Sequence, residues 1–202
     1  ILFFLGLFFS FSSTSSLAGE RLNKDYYFFF TKHSIFTLLA IIVMIIISVI
    51  KTEVLIKMTV PLFILLFILL ILVPIIGLEI KGAKRWIDLY FFRLQPIEIL
   101  KPFFILMTVK ILTLEKFKNS QIKYLLSFIL LCSVIILLID QPDLGQSILL
   151  TCTWVATVFV SGVSLIYIFI FFLIFLSSLS SLLFFFPEKF GYIINRLVTF
   201  FD

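Results

Sequence analysis

The sequence predicts an all-α fold, a polytopic bundle of transmembrane helices. Three observations support this: 62% of the residues are hydrophobic, 28 of the 202 are phenylalanine, and the mean hydropathy is +1.27. A soluble domain is roughly 45–50% apolar, so the excess here needs lipid to bury it. A transmembrane β-barrel would show short apolar and polar alternation, whereas these apolar runs are continuous.

About seven spans are predicted, because a span needs roughly 20 mainly apolar residues. The first is the apolar stretch 1–18, and the next four are 34–50, 58–77, 97–114 and 124–139. The polar and aromatic residues 20–33 are expected to form an interfacial loop before the second span. A short link with Lys51, Glu53 and Lys57 is expected between the second and third spans. Residues 144–187 carry no charge, and as one helix they would be about twice the thickness of the hydrocarbon core. They must fold back, and the Ser-Gly-Val-Ser sequence at 161–164 predicts the turn between a sixth and a seventh span.

The ends of the sequence suggest a piece of a longer chain. It begins at Ile1 without a methionine and ends at Asp202 after an amphipathic stretch, 188–202, that is expected to lie on the membrane surface. We therefore expect one transmembrane domain over residues 1–202, truncated at both ends. A signal peptide is the alternative for residues 1–18, but its basic n-region is missing, so a truncated first span is favoured.

The polar segment 79–101 interrupts the apolar spans. Arg and Lys make charge-assisted hydrogen bonds to phosphate oxygens, and Trp86 suits a membrane interface or the face of a sugar. The basic residues that could gather around a phosphate are Lys81, Lys84, Arg85 and Arg93. The alternative is a collar of basic side chains that snorkel to the headgroups.

The pair Gln95-Pro96 predicts the start of the fourth span, because proline favours the first turn of a helix. Glu98 and Lys101 then lie on one helical face and can pair. Ionisable residues inside a span are functional candidates by default. A purely structural ion pair is the alternative, and in either case both side chains are expected to face protein.

The turn at 140–145 carries two carboxylates, Asp140 and Asp143, at the boundary of a span. A pair of carboxylates can perform acid–base chemistry. From spacing alone a simple turn is the better interpretation.

Other functional classes are disfavoured. The net charge is +5, but the basic residues are spread over loops and form no contiguous domain, so nucleic acid is not an expected partner. His33 is the only histidine, which excludes a multi-histidine metal site. Cys132 and Cys152 lie in apolar runs, where a thiol usually behaves as a small hydrophobic group.

Three motifs in order resemble the SEDS family, which includes FtsW, RodA and SpoVE. They are residues 81–87 (KGAKRWI), residues 95–98 (QPIE) with Lys101, and residues 141–145 (QPDLG). Residues 196–202 resemble the segment that opens the family's large outer loop, and residues 12–21 followed by 25–28 look more like FtsW than RodA. The chain departs from the family pattern at Tyr90, where glycine is common, at Ile97, where serine is usual, and at Pro102.

The resemblance implies a ten-helix glycosyltransferase in the bacterial inner (cytoplasmic) membrane. Such proteins polymerise lipid II, the undecaprenyl-pyrophosphate-linked disaccharide peptide, into peptidoglycan, usually with a class B penicillin-binding protein. It also implies that segment 79–101 faces outward, whereas counting basic residues by the positive-inside rule would place it in the cytoplasm. A cofactor is left open, with a divalent cation compatible.

The same resemblance suggests roles for the motif residues. Lys84, Arg85 and Trp86 are expected to bind the lipid-linked substrate, and Gln95, Glu98 and Lys101 to organise a polar cavity. Residues expected to have motif or structural roles are Gly82, Pro96, Gln141, Pro142, Asp143 and Gly145. The family's catalytic aspartate lies in the outer loop beyond Asp202, so this stretch alone is expected to lack polymerase activity.

Two other functions use the same features. A transporter or flippase that moves lipid II would also need a basic loop and an ion pair inside the membrane. A non-catalytic scaffold for division partners is the third interpretation.

Overall fold

In a computed structural model of the chain, the structure describes residues 2–14, 27–80, 82–90, 92–115, 117 and 119–185. The chain divides into two compact units, Ile1–Lys57 and Met58–Asp202. The described residues form seven α-helices, a short π-helical segment and three short strands. This architecture confirms the predicted helical fold class.

The first unit contains two α-helices that pack on each other. Helix α1 (Leu2–Phe9) continues into the π-helical segment Ser10–Thr14, and α2 (Phe28–Val49) follows. A Cβ atom at Gly6 would lie 3.8 Å from Nε2 of His33. The histidine therefore packs against the backbone of α1, in agreement with a structural role.

The start of the second span was predicted too late in the sequence. Helix α2 starts at Phe28, six residues before position 34, and the backbone N–H of Thr31 donates to the carbonyl of Tyr27 at 2.8 Å. The aromatic residues at 28–30 were expected to lie in an interfacial loop. An aromatic belt does not require a loop, because a helix satisfies its own backbone groups while its rings face outward.

Helix α3 (Thr52–Ile76) contains the boundary between the units, and the rest of the second unit is a helical bundle. Its other helices are α4 (Pro96–Leu112), α5 (Ser120–Asp140), α6 (Leu144–Val160) and α7 (Leu165–Phe185). The third and fifth spans are thus longer than predicted. Glu53 and Lys57, which were expected in a link between spans, lie in the first turns of α3.

Helix α4 lies at the centre of this bundle and packs against both α5 and α6. Its buried side chains recur at intervals of three or four residues, which places them on one face. Fully buried side chains of the core include Leu70, Ile97, Leu100, Phe104, Leu131, Val134, Leu138 and Leu150. Trp154, towards the end of α6, also packs in this core, and its indole N–H donates to Oγ of Ser127 on α5 at 3.3 Å.

The opposite faces of these helices expose large apolar side chains, as expected for surfaces that meet lipid. Of the helices in the described part of the chain, α2, α3 and α5 are long and apolar enough to cross a membrane. Helices α4, α6 and α7 correspond to the fourth, sixth and seventh predicted spans. The predicted turn at 161–164 is confirmed, with Gly162 at a φ of +95°. Pro187 and the predicted surface segment 188–202 lie outside the described residues.

A small antiparallel sheet, which was not predicted, lies between α3 and α4. It has the order β1 (Leu78–Ile80), β2 (Ala83–Asp88) and β3 (Arg93–Leu94). Two residues connect β1 to β2, and the second of them, Gly82, has a φ of +76°. Tight hairpin turns need such a left-handed conformation, which glycine adopts without steric cost.

Candidate functional site

Arg85 connects the sheet to the turn between α5 and α6. Its Nε donates to the carbonyl of Gln141 at 2.9 Å, and its Nη2 donates to the carbonyl of Pro142. Its Nη1 lies 3.8 Å from Oδ1 of Asp143. A planar guanidinium can make several such contacts at once, which a lysine ammonium at the same place could not. The first and third motifs of the chain therefore meet through Arg85.

Asp143 is the buried carboxylate of this cluster. It is 7% exposed, and its Oδ2 accepts a hydrogen bond from Nε2 of Gln95 at 3.0 Å. Gln95 immediately precedes α4, and Asp143 immediately precedes α6. The contact thus joins the starts of the two helices. Asp140 is exposed at the end of α5, so only Asp143 of the two turn carboxylates belongs to the cluster.

The side chain of Gln141 contacts helix α3. Its Nε2 donates to the carbonyl of Leu70 at 3.0 Å, and Gln141 is 3% exposed. Pro74 lies four residues after Leu70 inside the same helix and has no N–H to donate to that carbonyl. The glutamine therefore satisfies a buried acceptor that the proline leaves without its helical partner.

Glu98, Lys101 and Gln146 form a closed ring of polar contacts between α4 and α6. The Lys101 Nζ lies 2.6 Å from Oε2 of Glu98, which confirms the pairing predicted from their spacing. Gln146 Nε2 donates to Oε1 of Glu98 at 2.6 Å, and Lys101 Nζ donates to Oε1 of Gln146 at 3.0 Å. The side chain of Lys101 is 20% exposed, but that of Glu98 is 48% exposed. The expectation that both face protein therefore holds for the lysine only.

The other described residues of the first motif lie on or beside the sheet, and the candidate Lys81 lies outside the described residues. Lys84 and Trp86 are half-buried in β2, and Nζ of Lys84 donates to the carbonyl of Pro74 at 3.4 Å. Gly82 forms the hairpin turn, so its structural role is clear.

The motif residues at the two helix starts have different surroundings. Pro96 occupies the first turn of α4, as predicted, and is buried. Gly145 lies in the first turn of α6, and a Cβ atom added there would meet nothing within 4 Å. The space beside Gly145 is open among the described residues.

Two features of this site were missed by the sequence analysis. Gln146 was not singled out, although a polar residue directly after the third motif and inside an apolar helix was a usable signal. The role of Pro74 was missed as well, because its consequence depends on a residue about seventy positions away that only the fold brings near.

The geometry favours binding and positioning over proton transfer. Asp143 is engaged by Arg85 and Gln95, and Glu98 by Lys101 and Gln146. A carboxylate with such partners is a poor general base, because its oxygens are already occupied by donors and its movement is limited. Among the described residues, no group of three or more His, Cys, Asp or Glu could hold a metal ion.

A separate apolar cavity of about 590 Å³ lies at the other end of α5 and α6. Its aromatic lining consists of Tyr124, Trp154, Tyr167 and Phe171. The polar cluster and this cavity are thus at opposite ends of the helices they share.

Comparison with known proteins identifies relatives of this chain. It is 33% identical to a probable peptidoglycan glycosyltransferase FtsW of Wigglesworthia glossinidia brevipalpis, over 95% of this chain and 50% of that protein. It is 28% identical to the protein of the same description in Escherichia coli O157:H7, over 76% of this chain and 38% of that protein. The chain thus spans half or less of the length of these two relatives.

Solved structures show the same fold. Rod shape determining protein RodA of Thermus thermophilus matches with a TM-score of 0.62 and 25% identity, over 84% of this chain and 58% of that one. A chain from a peptidoglycan synthase complex matches with a TM-score of 0.74 and 23% identity, over 96% of this chain and 59% of that one. The fold is therefore that of a multi-pass membrane protein. Since the cell cycle protein family of FtsW, RodA and SpoVE matches residues 1–202, the chain belongs to that family.

Proposed function

We propose that the whole protein polymerises lipid II into peptidoglycan strands during cell division, as an FtsW-like glycosyltransferase of the bacterial inner membrane. The single observation that carries the proposal is the convergence of the three motifs, since Arg85, Gln95 and Asp143 form one contact network. The names of the sequence relatives support the reaction class. A class B penicillin-binding protein is the proposed partner.

The reaction has clear chemical requirements. An acceptor sugar hydroxyl attacks the anomeric carbon of the donor, and the undecaprenyl pyrophosphate leaves with the electron pair of the broken bond. The attacking hydroxyl loses a proton to a base, and the leaving pyrophosphate needs positive charge nearby. The carboxylates of the described cluster are already engaged, so we assign no catalytic residue among them.

We assign Lys84, Arg85 and Trp86 to binding of the lipid-linked substrate. Lys84 donates only a long hydrogen bond to a neutral carbonyl, so its ammonium can turn to a phosphate at little cost. The Arg85 guanidinium is engaged by the turn after α5, so it supports binding largely by holding that turn in place beside Lys84 and Trp86. Trp86 is half-buried and offers an apolar face to a sugar or to the membrane interface.

Gln95, Glu98 and Lys101 organise the polar surface at the starts of α4 and α6. Each of them contacts a residue of the third motif or its neighbour Gln146. Gln95 and Asp143 set the distance between the two helices at this end. We propose that segment 79–101 faces the outer side of the membrane, where the acceptor strand grows.

The test is polymerisation of lipid II in detergent by the purified whole protein with its partner. Lys84→Ala and Glu98→Gln should each lower the rate about tenfold or more, since each removes a charge at the site. Lys57→Ala is the control, because Lys57 is an exposed lysine in the first turns of α3 that no motif includes. Wild-type protein that forms no polymer in detergent, yet moves lipid II across vesicles, would replace this proposal with the transporter function.

A further inference from the structure

The ring of Glu98, Lys101 and Gln146 contains one residue that no motif covers. Gln146 lies one position after Gly145, within the first turn of α6. Its side chain is the only described group of α6 that bonds to both members of the ion pair on α4. Its amide nitrogen donates to the Glu98 carboxylate, and its amide oxygen accepts from the Lys101 ammonium.

This polarity match is specific to an amide. A carboxylate at position 146 could accept from Lys101 but could not donate to Glu98, and a leucine could do neither. Asparagine has the right groups on a side chain one methylene shorter. The contacts therefore require both the chemistry and the length of glutamine.

Without Gln146 the pair would be loosely held. An exposed ion pair between residues three apart contributes little stability by itself, because two long side chains must be ordered to make it. Glu98 is 48% exposed, so little else on the described surface restrains it. A third contact from a different helix fixes the direction in which both charged groups point.

The ammonium of Lys101 retains capacity for a ligand. A lysine has three N–H donors, and two of them are directed to Glu98 and Gln146. Within the described part of the chain, no partner is seen for the third. We propose that Gln146 is a positioning residue that aims this donor, and the exposed side of the Glu98 carboxylate, at the substrate; this rests on the proposed function.

The first test uses the activity of the whole protein with its partner. Gln146→Leu should lower kcat for lipid II polymerisation about tenfold, which corresponds to about 1.4 kcal/mol of lost transition-state stabilisation. The matched control is Gln121→Leu at the exposed start of α5. A Gln146→Leu rate within about twofold of wild type would overturn the inference, and an inactive wild type would instead count against the proposed function.

The second test is a pH profile, which a merely structural role would not change. In Gln146→Glu two like-charged carboxylates face each other, so binding of one proton by the pair relieves their repulsion. The protonated member of the pair can then donate as the amide did. Activity of Gln146→Glu relative to wild type should therefore rise as the pH falls from about 8 to about 5.5, whereas a parallel profile contradicts the proposal.

Other charged groups on the elements that pack against α4 and α6 do not produce the same pH dependence. Arg85 of β2 and Asp143 are paired with each other. Of the other charged residues of β2, Lys84 donates to the Pro74 carbonyl and Asp88 accepts from the Tyr90 backbone N–H. Helix α7 contains no ionisable acid or base of the Asp, Glu, Lys, Arg or His type. The remaining charged residues on α4 and α5 lie at the other end of α4, at an exposed helix end or in the first turns of α5: Lys110, Asp140 and Lys123.

The third test is independent of activity. An amine-reactive acylating reagent should modify Lys101 several-fold faster in Gln146→Leu than in wild type, because the ammonium loses one of its two partners. Lys110, on the same helix, is the internal reference. The modified fraction at each lysine is read by peptide mass spectrometry. Equal rates at Lys101 in the two proteins would overturn the inference even if the wild type proved inactive.

Discussion

The side-chain amide of Gln141 donates a hydrogen bond to the backbone carbonyl of Leu70, the acceptor that Pro74 leaves without a helical donor. The two residues are 71 positions apart, and both are buried. One side chain of the third motif thus completes the hydrogen bonding of a helix that ends just before the first motif. This contact links the packing of the bundle to the position of the sheet.

The first prediction concerns this contact. Gln141→Leu should destabilise the protein by roughly 1–3 kcal/mol, because the Leu70 carbonyl becomes a buried acceptor without a partner. In a Pro74→Ala background the loss should be much smaller, since the substituted alanine supplies the missing backbone N–H. Thermal unfolding in detergent of both single variants and the double variant measures the coupling. Strictly additive effects would show that the proline and the glutamine are independent.

The second prediction concerns the guanidinium of Arg85. Arg85→Lys should lower the thermal midpoint and the polymerisation rate, because a lysine cannot contact both Gln141 and Pro142 carbonyls while facing Asp143. A loss of roughly 1–3 kcal/mol is expected for the partners left unsatisfied. Arg93→Lys, at an exposed position on β3, serves as control. Full stability of Arg85→Lys would show that charge alone is sufficient at this position.

The third prediction compares two glycines. A Cβ atom at Gly77 would lie 2.4 Å from the carbonyl oxygen of Val73, so Gly77→Ala must displace the end of α3 and should be destabilising. Gly145→Ala meets open space in the first turn of α6, and should be neutral or stabilising by up to about 1 kcal/mol. Unfolding midpoints of the two variants test the difference. A larger loss of stability in Gly145→Ala than in Gly77→Ala would contradict this prediction.

The fourth prediction concerns Tyr90, which has a φ of +65° in the turn before β3 and is fully exposed. A left-handed conformation costs a residue with a Cβ atom roughly 1–2 kcal/mol, whereas glycine adopts it freely. Tyr90→Gly should therefore raise the thermal midpoint, and Tyr90→Ala should not. The alanine variant separates backbone strain from loss of the ring. An equal rise in both variants would contradict this explanation.

The turn at Tyr90 coincides with one position at which the sequence departs from the family pattern. The resemblance placed glycine as the common residue at this position, and the structure has a left-handed φ there. The Asp88 carboxylate accepts from the Tyr90 N–H at 3.0 Å and supports the turn. A glycine, which the resemblance gives as common here, would adopt this conformation freely, and no sequence pattern in this chain reveals the conformation.

The sequence by itself determined the membrane-helical fold and most of the span positions, because continuous apolar length is sufficient to identify a helix that needs lipid. It also determined the pairing of Glu98 with Lys101, since their spacing places them on one helical face. Helix boundaries were less certain, as the early start of α2 at Phe28 shows. Aromatic residues are compatible with a helix as well as with an interfacial loop, so they do not by themselves indicate where a helix begins.

Only the tertiary structure decided which polar groups meet. The three short strands have too few residues for a recognisable alternation, and the pairing of β1 with β2 depends on the turn at Gly82. The contacts of Arg85 with the turn after α5 and of Gln146 with the ion pair on α4 join residues more than forty positions apart. Local periodicity carries no information about such contacts, because they arise from how the helices pack, and the candidate site is built from them.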